Sequence, residues 1–132
     1  MNRPADLAEE TVVAGENANR GVAPKDRGAL YRVDKFMVPV AGRDEFLARV
    51  RDTHAVLRRQ AGFRQDMILE QQSGPGAFNI VTIVEWENAA VVDRVAAAVA
   101  ARHAEIGFDR NEMMLRLGIT ADIANYGRVP DA

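Results

Sequence analysis

Two histidines, a single tryptophan and no cysteine narrow the chemistry open to this chain of 132 residues. The absence of thiols excludes disulfides, thiolate nucleophiles and Cys-ligated metals. His54 and His103 have no ligand partner one helical turn away and no flanking ligand cluster, so the sequence implies no metal site. Proton transfer is one chemistry an imidazole offers. A neutral His54 can take a proton from an acidic phenol or carbon acid and leave an electron-rich anion. Its structural alternative is an imidazole at a helix edge, bonded to a backbone carbonyl or a neighbouring carboxylate. His103, in the last turn of a helix, has a sufficient role as a cation stabilised by the helix dipole.

Trp86 can form an aromatic wall for a flat ligand, with Phe78, Met67 and Phe36 as further apolar lining. Equally, a large aromatic at a strand end packs under a helix. Lys35 shares a strand face with Tyr31, Val33 and Met37, from which an ammonium can stabilise a developing oxyanion. The plainer account is a lysine that snorkels to solvent or guards an edge. Asn79 can orient a substrate oxygen or dioxygen, or simply bond backbone after the preceding Gly-Pro turn. The GPG and GRVP runs are turns, because no phosphate-binding fingerprint leads from a strand into a helix.

The elements that must position these residues follow from hydrophobic periodicity. Phe78–Trp86, FNIVTIVEW, is apolar or β-branched at most positions and reads as a central strand with cover on both faces. Tyr31–Val40 is a first strand that Pro39 must close or leave at an edge. A helix from Asp44 to Gln60 buries Phe46, Val50, Leu57 and Ala61, with Arg49, Asp52, Val56 and Arg59 opposite. Gly62 stops it. Phe63–Gln71 alternates Phe63, Met67 and Leu69 against a wet face of Arg64, Asp66 and Glu70, and the turn Gln72–Ala77 makes a hairpin with the central strand. A second helix over Asn88–Ala104 presents Val92, Val95, Val99 and Ile106. Gly107 ends it, Asp109 or Asn111 caps a short helix to Leu117, and Ile119–Val129 is a weaker last strand.

Strand, helix, strand, strand, helix, strand is the ferredoxin-like βαββαβ order, an α+β fold with an antiparallel sheet and both helices on one face. The other face then lacks cover, although the central strand is apolar on both sides. Pairing two sheets face to face supplies that cover, so a homodimer is expected. Met1–Ala29, with Pro, Gly and scattered charges and a brief helical hint at Leu7–Val13, reads as a flexible extension before a domain of residues 30–132.

Composition bounds the partners. With 48% hydrophobic and 27% charged residues the chain is typical of one globular domain, and a net charge of -2 argues against a dedicated nucleic-acid binder. No segment has the apolar length of a membrane span, and the acidic start MNRPADLAEE is unlike a secretory signal, so a cytoplasmic location is expected.

The runs VDKFMVP, EFLARVRDTH, AGFRQDMILEQ and FNIVTIVEWEN resemble the antibiotic biosynthesis monooxygenase family, over Tyr31 to Ala104 with some likeness in ITADIANYG. The resemblance implies a dimeric α+β barrel. Quinone-forming members oxidise polycyclic phenols or anthrones with dioxygen and no cofactor, the bound carbanion reducing oxygen. Haem-degrading members need an Asn on the first strand, the strand-end Trp and a His on the second helix. Trp86 matches the Trp, but Asp34 and Lys35 stand in the Asn region and Ala96 in place of the His, which disfavours haem degradation. The expectation is a cofactor-independent monooxygenase acting on a small or polycyclic aromatic, with His54 as base and Trp86, Phe78, Met67, Lys35 and Asn79 around the substrate. The alternative is a non-catalytic dimeric binding or structural module.

Overall fold

The computed structural model describes residues 28–131. The expected extension, including its helical hint, lies outside them up to residue 27. Four strands, β1 (Leu30–Met37), β2 (Phe63–Glu70), β3 (Ile80–Trp86) and β4 (Thr120–Tyr126), form one antiparallel sheet in the order β2-β3-β1-β4. Helices α1 (Arg43–Leu57) and α2 (Val92–Ile106) cover one face, and a short α3 (Arg110–Leu117) precedes β4. This is the ferredoxin-like α+β fold that the element order requires.

Local chemistry sets the boundaries. Pro39, lacking an N–H, lies just past β1 and leads into a 3-10 turn at Val40–Gly42, so the interior ladders on both sides of β1 lose no donor. Gly62 adopts φ +92, and a Cβ there would lie 2.8 Å from Val91 Cγ1. Only glycine fits both the backbone and that approach. The Asp109 carboxylate accepts from the amides of Asn111 (2.9 Å) and Glu112 (3.1 Å) and so caps α3.

The core has two parts. Phe36, Val38, Phe46, Leu47, Ile80, Met113, Met114 and Ile119 pack at one end, with the Phe36 and Phe46 rings edge to face at 4.8 Å. Leu30, Leu57, Val84, Trp86, Val91 and Val92 pack at the other, where Phe63 meets Trp86 edge to face at 5.8 Å.

Three expectations are corrected. The register shifts between Phe63 and Gln65, so Arg64 is an extra residue in β2. That bulge places Phe63 beside Trp86 but turns Met67 and Leu69 to the face away from the helices, 44% and 45% exposed. Asp66, assigned to a wet face, points instead under α1. On α1 itself Leu47 and Val56 are buried, Leu47 within the cluster that holds Phe36, Ile80 and Met113, and Ala61, beyond the helix end, is exposed. Arg102 of α2 grips Asp52 of α1 through Nη2 (2.7 Å) and Nε (3.2 Å). Finally, Phe78 and Asn79 precede β3 instead of opening it.

Candidate active site

Between the sheet and the two helices lies a cavity of about 530 Å³ that divides the two core clusters. Its floor is the even-numbered face of β1 and β3, including Arg32, Asp34, Thr82, Val84 and Trp86. Its roof is α1 and the slim Val-Ala face of α2, where Val95, Ala96 and Val99 leave room that longer side chains would fill.

His54 is 5% exposed and lines this cavity. Its Nδ1 lies 2.8 Å from Asp66 Oδ2, and Arg58 donates Nε to the same oxygen at 3.0 Å. A carboxylate at Nδ1 selects the tautomer with the proton there and leaves Nε2 as the basic nitrogen. Burial pushes the Asp66 carboxyl up, but the bonds from His54 and Arg58 outweigh it and hold the group below its ordinary value. Asp66 is therefore ionised at neutral pH and ready to balance an imidazolium. The imidazole and its carboxylate partner come from different elements, α1 and β2, and the bulge at Arg64 brings them together.

His103 lines the same cavity from α2, with Nε2 3.3 Å from Thr53 Oγ1 and its ring edge to face with Phe108 at 4.9 Å. Burial, followed by the Arg110 charge, lowers its pKa. Burial and the Arg110 charge thus work against the cation expected from the helix dipole. Arg32 and Asp34 form an ion pair on the floor, with both side chains largely buried.

Of the residues singled out from sequence, the cavity unites His54, His103, Trp86 and Phe36. Trp86, 4% exposed, is both core and wall. Met67 and Lys35 lie on the opposite face of the sheet, Lys35 between Val81 and Asp122 in register. Neither lines the cavity, because strand alternation turns them away from it. Phe78 does not line it either. Asn79 is taken up by backbone: it accepts from Val38 N and donates to Val38 O, both at 2.8 Å, stapling the end of β1 to the start of β3. Asp66, Thr53, Arg32, Asp34, Asn111 and Asn125 were not anticipated. A general signal existed only for Asp66, in the expectation of a carboxylate partner for His54.

The fold and site define a ferredoxin-like α+β protein with a largely apolar cavity lined by His54, behind which Asp66 is bonded. No family model matches the chain, and no curated protein does. Among solved structures it is similar to SnoaB, a cofactor-independent oxygenase from Streptomyces nogalater, with TM-score 0.53 and 21% identity over 78% of this chain and 95% of that one. A second likeness is to MhuD, a heme-degrader from Mycobacterium tuberculosis with two hemes bound, at TM-score 0.50 and 21% identity over 78% and 98% of the two chains. A third is to a dimeric ferredoxin-like protein from an uncultured marine organism, at 0.50 and 11% over 79% and 97%. At these identities the shared property is the fold, and in the fold the resemblance read from the sequence is borne out. Ala96 lies on the cavity wall where that resemblance would place the His of haem degradation.

Proposed function

We propose that this protein is a cofactor-independent monooxygenase that deprotonates a phenol- or anthrone-like aromatic in the cavity and lets the resulting anion react with dioxygen. The observation that carries this reading is the buried His54–Asp66 pair, whose imidazole lines a cavity large enough for a flat aromatic. His54 Nε2 accepts the substrate proton, and ionised Asp66 stabilises the imidazolium while holding the ring in place. Trp86, Val84, Leu57 and Val95 surround the pair with apolar wall, which weakens the screening of its charges. For an anthrone-type substrate the carbanion adds dioxygen to give a hydroperoxide after protonation. Loss of water then leaves the quinone, so one oxygen atom enters the product and the other leaves as water. The substrate carbanion is the reductant.

The working form we propose is a homodimer. On the face turned from the helices, exposed Met37, Met67 and Leu69 adjoin Val33, Val81 and Ile83, an apolar surface that a second sheet suits. The test is oxygen uptake by the purified protein with anthrone and with 1-naphthol, without added metal, flavin or haem. Uptake above the protein-free rate that His54→Ala abolishes supports the reading. A panel of such aromatics that bind without oxygen uptake would move it to the non-catalytic binding module.

A further inference from the structure

Two polar atoms on the cavity wall have no partner among the described residues: Asn111 Oδ1 and Asn125 Nδ2, both buried. A buried amide atom left unpaired is costly, and native structures retain such a group where something else satisfies it. Asn111 sits in the first turn of α3 and Asn125 on β4 opposite Arg32. One offers an acceptor and the other a donor. Asp66 and His54 work from the β2 edge of the sheet, whereas β4 is the other edge. Three strand spacings separate those edges, roughly 14 Å.

We infer that Asn111 and Asn125 form a polar anchor for the end of the ligand remote from His54, selecting an apolar, ring-sized molecule whose far end both donates and accepts a hydrogen bond, as a carboxamide, lactam or hydroxyl does. The anchor builds on the cavity as the ligand site of the oxygenase reading, and it adds the substrate class: an aromatic body with such a group on the side away from the reacting carbon. A site made to pair a polar group rejects the analogue lacking it, because the amides then stay buried and unpaired.

The protein's single tryptophan, Trp86, lines the cavity and reports occupancy by its fluorescence. Naphthalene-2-carboxamide and its near isostere 2-isopropylnaphthalene are titrated against the wild type, Asn111→Leu, Asn125→Leu and His54→Ala, with melting curves taken without probe. The wild type is expected to prefer the carboxamide by roughly ten-fold, the scale of two neutral hydrogen bonds. His54→Ala keeps that preference and each Asn→Leu variant loses most of it, with a melting temperature equal to or above the wild type's. Equal affinity of the wild type for both probes overturns the anchor without needing any variant. So does a preference that survives in both Asn variants or disappears in His54→Ala. A protein that shows the preference but consumes no oxygen with aromatics retains the anchor and loses the oxygenase reading, so the two failures are distinct.

Discussion

Replacing Asp66 by Asn removes one negative charge from between His54 and Arg58 while keeping the side chain's shape. The His54 bond, at 2.8 Å between side chains only 6% and 11% exposed, is a hydrogen bond to a charged group in a poorly solvated place. The Arg58 side chain is 53% exposed, so solvent screens its share. Together these give an expected loss of about 2 kcal/mol at neutral pH. The sign of its pH dependence follows from the Asp66 carboxyl being held below its ordinary value. A carboxyl depressed in the folded state stabilises above its unfolded pKa of about 3.9, and that stability disappears as pH falls through the lower folded value. The deficit of Asp66→Asn is therefore full at pH 7 and closes below about pH 3.9. Catalysis suffers more, since the amide cannot balance an imidazolium, and kcat is expected to fall roughly 10²- to 10⁴-fold. Denaturant melts from pH 3 to 7 and oxygen uptake with anthrone measure the two effects. A variant that loses the expected stability but consumes oxygen at the wild-type rate would make the pair a structural staple and refute the base assignment.

Other expectations separate structural from functional residues. Asn79→Ala leaves the Val38 amide and carbonyl unpaired and should cost roughly 1–3 kcal/mol in denaturant unfolding, with binding at the cavity unchanged. Leu69→Glu places a charge on the apolar sheet face, so sedimentation should show dissociation towards monomer; a wild type already monomeric at micromolar concentration would remove the case for that interface. His103, whose pKa is lowered by burial and Arg110, binds fewer protons folded than unfolded, so its contribution is present above about pH 6.5 and lost as pH falls. The two other charged groups acting on it most are Asp52 and Arg49, and unfolding of His103→Gln from pH 7 to 5 should be less pH-dependent than that of the wild type.

The ferredoxin-like fold was legible in the chain because its signals are local. Two-residue alternation marked β3, three- and four-residue repeats marked α1 and α2, and Gly62, Gly107 and Gly118 marked the stops where backbone of positive φ is needed. His54 stood out as a scarce titratable group on a helix border, and Trp86 as a strand-end aromatic, and both reach the cavity.

Side-chain facing on β2 and the partners of these residues were decided only in three dimensions. A bulge is a single extra residue with no compositional mark, yet the one at Arg64 moves Asp66 beneath His54 and Met67 to the far face. Lys35 follows the alternation of β1 away from the helices, and Asn79 meets Val38 only because β1 and β3 pair in this register. Asn111 and Asn125, from α3 and β4, reach the same cavity only in the folded chain. Local periodicity encodes which segments form. Which polar groups meet depends on register and packing between segments distant in sequence, and that information belongs to the tertiary structure.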